Sequence, residues 1–265
     1  MQRSHIEHEP PRDDPYASKV LDKALALVDL VANGPSTLKE LSTASGLNRT
    51  TVFRLLTGLE RHGYVSRNPA SGQYYLGPKL LELGCRLLPS PELLELARSA
   101  LTRVVEETAE TALVSVRQGH DSLVIASQLG PQLNTAYIAV GAHVPLHWGA
   151  AKVLLAFAPQ DFIDSYLSQQ PDFTHGFPDV VVPAEQIRAE LIEIQRLGYA
   201  VIIGEVDHDV CGISVPLRNG DGQVVASLAV LLPRSRGTQE YLATLRDHLV
   251  TIGNDFSSQL GFRPA

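Results

Sequence analysis

Arginine and threonine residues are concentrated in one short segment, residues 49–57, where their spacing suits the binding of a nucleic acid. At helical periodicity the aliphatic residues form a stripe that includes Val52 and Leu56, which leaves the polar residues near the N-terminal or outer face. Guanidinium groups pair with guanine edges, whereas hydroxyl groups contact phosphates. The segment therefore predicts a DNA-recognition helix, with solvated helix charges as the alternative role for Arg49 and Arg54.

The neighbouring residues predict the frame that holds this helix, a helix-turn-helix. Thr37 and Glu40 form a T-x-x-E capping box, which predicts that a helix starts at Thr37. Gly46 lies where the turn between the two helices needs a left-handed residue. Asn48 is a good N-cap for the recognition helix over 49–62.

Two further elements complete a winged version of this motif. An apolar stripe that includes Val20, Leu21 and Leu25 predicts a supporting helix over 20–33. Strands over 64–68 and 73–76 are predicted to pair as the wing, around a Pro-Ala-Ser-Gly turn. DNA contacts are predicted for eight residues: Thr37, Asn48, Arg49, Thr50, Thr51, Arg54, Arg67 and Gln73.

The net charge of −7 over 265 residues is unevenly distributed. Residues 18–79 hold eight Lys or Arg against four Asp or Glu, whereas residues 80–265 hold twelve against twenty-one. Phosphate binding needs a local basic surface, so the asymmetry favours one DNA-facing domain and one acidic domain. Two cysteines, and no apolar run of signal-peptide or membrane-span length, predict a cytoplasmic protein with no membrane partner.

The chain after residue 78 changes to mixed helix and strand periodicity. An amphipathic segment over 79–88 predicts a linker helix and dimer contact. Further helices are predicted over 91–111, 148–158, 183–198 and 237–260. Strands are predicted over 112–118, 121–129, 135–140, 199–203, 211–218 and 223–232. The fold class is therefore α+β, with helices flanking an antiparallel sheet, as in small-molecule sensor domains.

No motif for catalysis is present, since the chain has no P-loop, GxGxxG, GxSxG or HExxH pattern. Residues of zinc-binding type occur without a known metal-site spacing at Glu205, Asp207, His208 and Cys211, and at His143 and His147. No catalytic residue, metal site or cofactor is predicted. Two alternatives stay open: an enzyme or metal-binding protein with an appended winged helix, and a protein-interaction module without DNA binding.

The chain resembles the IclR family of bacterial transcription regulators in TLKELSTASGLNRTTVFRLLTGLERHGYVSRN, in PLHWGAAKVLLAF and in VPLRNGDGQVVASLAV. The resemblance implies a winged helix-turn-helix over 18–78, a linker helix over 79–90 and a GAF-like effector domain over 91–262. Residues 1–17 are predicted to be a disordered arm from their polar composition. The resemblance also implies dimers or tetramers that repress or activate at an operator, with a small organic acid as effector.

The resemblance assigns effector binding to eight residues: Leu129, Gly149, Ala150, Ala151, Ile202, Gly212, Ala229 and Leu231. The Gly149–Ala151 turn begins a helix, and its backbone N–H groups are expected to hold a carboxylate. The last four residues of the set stand where the family has polar side chains. This predicts an apolar or aromatic acid as effector, with well-packed core as the alternative. Glu205 matches an acidic family position and is expected to be a solvated charge.

Overall fold

The computed structural model describes residues 18–87, 91–131, 139–175 and 180–263. The chain divides into two compact units, residues 1–88 and residues 89–265. Each unit has an apolar core of its own. None of the helices within the described ranges combines the length and the apolar composition needed to cross a membrane.

The first unit is a winged helix-turn-helix, as the sequence predicts. Its elements are α1 (Lys19–Ala32), α2 (Leu38–Ser45), α3 (Arg49–Arg61), β1 (Val65–Arg67), β2 (Tyr74–Leu76) and α4 (Pro78–Leu87). Thr37 caps α2 and Asn48 caps α3, and Gly46 between them has a φ of 67°, in the left-handed region. The wing strands pair antiparallel, with Val65 opposite Leu76.

The core of the first unit is formed by α1, α2, α3 and the wing. It consists of Leu27, Val28, Val31, Leu41, Val52, Leu56, Val65 and Tyr74. The predicted stripe of α1 is wrong in its first half, because Val20, Leu21 and Leu25 are exposed. Leu21 lies two turns before the buried Val28, on the same face of the helix, whereas Leu25 points roughly 120° away from Val31. Val20 and Leu21 lie near the start of α1, where none of the described residues of this unit buries them.

The second unit is built on an antiparallel sheet. Its strands are β3 (Thr111–Gln118), β4 (Asp121–Gln128), β5 (His143–Pro145), β8 (Ala200–Ile203), β9 (Val210–Arg218) and β10 (Val224–Pro233). They form one sheet in the order β5-β4-β3-β10-β9-β8. A separate antiparallel hairpin is formed by β6 (Asp172–His175) and β7 (Val180–Pro183).

Helices complete the α+β architecture that the sequence predicts. α5 (Pro91–Thr108) and α9 (Gln239–Gln259) share one core with the sheet. A second core joins the hairpin to α6 (Lys152–Ala156), α7 (Gln160–Leu167) and α8 (Ala184–Leu197). A 3-10 turn over Gly149–Ala151 directly precedes α6.

The structure differs from the sequence-based expectation in three respects. α5 ends three residues early, because Ala109 adopts a φ of 59° and turns the chain into β3. Residues 135–138 of the predicted third strand lie outside the described residues, and 139–140 belong to a turn. The elements α7, β5, β6 and β7 were not predicted, since each is shorter than the window over which periodicity becomes visible.

Candidate functional sites

The N-terminal half of α3 carries two arginines without acidic partners among the described residues. Arg49 and Arg54 are exposed, and neither takes part in an ion pair within the described part of the chain. Thr50 is exposed beside them, whereas Thr51 is half-buried. Because the guanidinium groups are not neutralised, this face can attract phosphate groups and offer hydrogen-bond donors to bases.

Two of the predicted DNA-binding residues already have structural roles as helix caps. The Asn48 side-chain oxygen accepts a hydrogen bond from the Thr51 backbone N–H at 2.8 Å. The Thr37 hydroxyl accepts from the Glu40 N–H at 3.4 Å, while the Glu40 carboxylate accepts from the Thr37 N–H at 2.7 Å. These bonds hold the starts of α3 and α2, so Thr37 and Asn48 act first on the position of the helices.

The wing presents one cation, Arg67, beside its turn. The Arg67 guanidinium lies over the Tyr74 ring, 5.7 Å from its centroid, and remains exposed. Gln73 is half-buried, and its side-chain oxygen accepts a hydrogen bond from the Tyr75 hydroxyl at 3.3 Å. Asn68 closes the turn by accepting from the Ala70 N–H at 2.9 Å. Arg67 is therefore the more accessible of the two wing residues predicted to contact DNA.

In the second unit, an apolar pocket lies beside β3, β4 and β10. Its lining is mostly aliphatic: Leu113, Val124, Val144, Ala150, Ala151, Ile202, Val206, Val210 and Leu231. The cavity is narrow, about 30 Å³ in volume, within a gap of about 480 Å³ that is partly open to solvent. A ring-sized ligand would need the lining side chains to separate.

Four of the eight residues assigned to effector binding line this pocket: Ala150, Ala151, Ile202 and Leu231. Ala229 belongs to the same apolar cluster without lining the cavity. Gly149 adjoins it, since a Cβ there would meet the Val206 and Ile202 side chains. Gly212 is not in the lining. It packs against the backbone of β10 instead, since a Cβ added at Gly212 would be 2.1 Å from the Val230 carbonyl oxygen. Leu129 is half-exposed beyond β4 and does not line the pocket.

The expectation that Glu205 is a solvated charge is wrong. Its side chain is only 14% exposed, and one carboxylate oxygen accepts from the Lys152 ammonium at 2.8 Å. The other oxygen accepts from the Gly149 N–H at 2.9 Å, and Glu190 accepts from Lys152 at 2.9 Å. Burial lowers the pKa of Lys152, but the carboxylates of Glu205 and Glu190 outweigh it, and the pKa is raised. The Gly149 N–H expected to bind a ligand carboxylate is therefore occupied by Glu205.

Sequence reasoning missed the polar part of the pocket, which consists of Ser115, Ser122 and Asp207. The Ser115 hydroxyl is 3.0 Å from the Ser227 hydroxyl, and the Ser122 hydroxyl donates to the Val144 carbonyl at 3.1 Å. Alternation along β3 marked Ser115 as facing the side opposite to Val114 and Val116. Nothing local predicts that this side is a cavity.

The candidate metal ligands do not form a metal site. No group of three His, Cys, Asp or Glu residues within the described ranges is arranged to hold a metal ion. The His147 Nδ1 atom lies 2.7 Å from the Tyr166 hydroxyl, and its Nε2 atom lies 3.1 Å from the Thr174 carbonyl oxygen. A carbonyl can only accept, so Nε2 carries a proton and His147 is held by hydrogen bonds between α7 and β6.

A winged helix-turn-helix with free arginines on its recognition helix, and a separate α+β unit with an apolar pocket, together define a transcription regulator with an effector domain. Two family models match the chain: the IclR helix-turn-helix domain over residues 20–69 and the bacterial transcriptional regulator IclR C-terminal domain over residues 85–258. The chain belongs to the IclR family.

Curated relatives are similar over almost the whole chain. The DNA-binding transcriptional repressor YiaJ of Escherichia coli (strain K12) is 32% identical, covering 95% of this chain and 91% of its own length. The HTH-type transcriptional regulator KipR of Bacillus subtilis (strain 168) is 28% identical, covering 92% of this chain and 98% of its own. An IclR homologue from Microbacterium hydrocarbonoxydans, solved in complex with 4-hydroxybenzoate, has the same fold, with a TM-score of 0.74, 23% identity and coverage of 91% and 100%.

Proposed function

We propose that the chain is a cytoplasmic, ligand-responsive regulator that binds a double-stranded operator and represses or activates transcription. The observation that carries the DNA-binding role is the capped helix α3, with Arg49 and Arg54 exposed and unpaired within the described residues. The arginines read base edges, and Thr50 contacts phosphate. Arg67 and Gln73 add wing contacts, whereas Thr37, Asn48 and Thr51 hold the helix ends against the duplex.

The regulator acts as a homodimer or tetramer, so that two recognition helices occupy two half-sites. Support comes from apolar residues of the first unit that its own core leaves uncovered. Val20, Leu21 and Leu25 of α1 are exposed, and Leu81 of α4 is 72% exposed. Burial of such residues between two copies provides the hydrophobic contribution that association needs.

The effector is a small apolar or aromatic organic acid that enters the pocket of the second unit. The aliphatic lining fits an apolar body, and the Ser115 hydroxyl, which shares a hydrogen bond with the Ser227 hydroxyl, supplies a polar partner. The 4-hydroxybenzoate complex of a family member supports an aromatic acid. Because the cavity is about 30 Å³, the ligand must separate the lining residues, and a conformation with a wider pocket is thereby populated.

Fluorescence anisotropy with duplexes that tile the upstream region of the chain's own gene tests this proposal, at 50 and 200 mM salt. Sequence-selective binding that weakens on the order of a thousandfold between the two salt concentrations is expected if about six phosphates are contacted. Absence of duplex binding at 50 mM salt would favour a protein-interaction module instead.

A thermal-shift screen of aromatic and aliphatic acids on the same protein tests the effector. An acid that raises the melting temperature and changes the anisotropy titration is expected. The matched control is Ala151→Leu, which fills the pocket from a buried position and should abolish the response to the acid while leaving duplex binding intact. Turnover of the acid, or a stoichiometric bound metal, would favour the enzyme or metal-binding alternative.

A further inference from the structure

The recognition helix exposes one large apolar side chain at the edge of its polar face. Phe53 is 47% exposed, although the preceding residue, Val52, and the residue three positions later, Leu56, are fully buried. It is not among the apolar side chains that pack on the core of this unit. Its ring contacts no other aromatic ring in the part of the chain that the structure describes. The core therefore gives no reason for an aromatic residue at this position.

The neighbours of Phe53 are the groups proposed to contact DNA. On a helix, residues three and four positions apart share a face, so Phe53 shares a face with Arg49, Thr50 and Thr57. The Thr57 hydroxyl donates to the Phe53 carbonyl at 2.8 Å, which turns it back toward the helix. The phenyl ring is thus exposed on the polar face, beside the groups that are proposed to contact DNA.

The apolar group that B-DNA offers in its major groove is the C5 methyl of thymine, and phenylalanine is one of the side chains that can contact it. We propose that Phe53 is a specificity-determining residue whose ring packs on a thymine methyl in each operator half-site. This inference rests on the proposed operator-binding function. It assigns a thymine to the position that faces the middle of α3, between the contacts made by Arg49 and Arg54.

The test uses the full-length protein and an operator selected by it from randomised duplexes. Each thymine of one half-site is then replaced by deoxyuridine, which removes only the C5 methyl group. Replacement of the thymine at one position should weaken binding about fourfold, since burial of one methyl-sized group contributes about 0.8 kcal/mol. Replacement at the equivalent position of both half-sites should weaken binding about fifteenfold, because well-separated sites are additive.

Two variants assign the effect to the ring. Phe53→Ala should bind thymine and deoxyuridine duplexes equally at that position. The matched control is Leu76→Ala, because Leu76 is 46% exposed in the same unit but lies in the wing, and its variant should keep the fourfold difference. Both residues are exposed, so neither variant is expected to unfold the unit.

Three results would overturn the inference. In the first, every thymine of the selected operator tolerates replacement by deoxyuridine; in the second, the Phe53→Ala variant still distinguishes thymine from deoxyuridine. In the third, Phe53→Ala changes only the oligomeric state of the protein. The last would assign the ring to a protein interface. Failure of the proposed function looks different, because the wild-type protein would then select no operator.

Discussion

The two units place their functional side chains in opposite ways. In the first unit, the residues proposed to contact DNA lie on the surface, on the outer face of α3 and on the wing, and the core lies behind them. In the second unit, the residues proposed to contact the effector are themselves core, since Ile202 and Leu231 are buried and line the pocket. A surface site can change without loss of the fold, whereas a pocket of core residues couples ligand binding to packing.

The cations of the two units differ in the same way. Arg49 and Arg54 are exposed and have no acidic partner within the described residues, so their charge is available to an external anion. Lys152 is 5% exposed and bound by Glu205 and Glu190, so its charge is used inside the unit. Substitutions of these cations should therefore separate binding from stability.

The largest effect is expected for Lys152→Met. It leaves Glu205 buried without its cation, and removal of one partner from a buried ion pair costs about 3 kcal/mol or more. The free energy of unfolding of the second unit should fall by that amount, with hydrogen exchange increased in α6 and unchanged in α3. The matched control is Arg188→Met, which breaks an exposed pair with Asp164 and should cost less than about 1 kcal/mol. Equal effects of the two substitutions would contradict a buried role for Lys152.

Arg54→Ala should change binding without changing stability. Loss of a guanidinium contact to a base edge is expected to cost about 1–3 kcal/mol per half-site in operator affinity. Arg61→Ala is the matched control, because Arg61 is exposed in the last turn of the same helix, away from its N-terminal half. Anisotropy titrations compare the three proteins, and circular dichroism checks their folding. If Arg54→Ala binds the operator with wild-type affinity, α3 is not the recognition helix.

The first unit was predictable because its signals are local. The Thr37–Glu40 capping box, Gly46 and Asn48 each act within four residues, and the structure contains each of them as predicted. The exception is α1, where a periodic stripe indicates an apolar face but not what covers it. Val20, Leu21 and Leu25 satisfy the pattern and remain exposed, because burial depends on partners that the pattern does not identify.

The pocket was only partly predictable because its residues come from distant strands. Resemblance to the family led to Ala150, Ile202 and Leu231, whereas Ser115 and Asp207 follow only from the sheet order and the loop after β8. The burial of Glu205 was not predicted, since its partner Lys152 lies 53 residues away in sequence. Ion pairs over such separations are set by topology, which neither composition nor periodicity reveals.

Asn48→Ala tests whether the cap positions α3 or contacts DNA itself. Loss of the bond to the Thr51 N–H should destabilise the start of α3 by about 1 kcal/mol. Asn48→Ser keeps an uncharged acceptor for that N–H and should restore the stability. Hydrogen exchange of the first turn of α3 measures this effect, and operator affinity is measured in parallel. If the cap alone matters, Asn48→Ser restores both. If the amide contacts DNA, only stability returns.

The smallest effect is expected at α2, where the capping box depends on pH. The Thr37 backbone N–H and hydroxyl donate to Glu40 and hold the pKa of its carboxyl below the ordinary value of 4.5. A lowered folded-state pKa means that this stabilisation is complete above pH 4.5 and is lost as the pH falls through the lowered value. Protection of the α2 amides in the wild type should therefore approach that of Glu40→Ala as the pH falls below 4.5. If the difference in protection between the wild type and Glu40→Ala stays constant down to pH 3, the uncharged part of the Glu40 side chain, rather than its charge, stabilises α2.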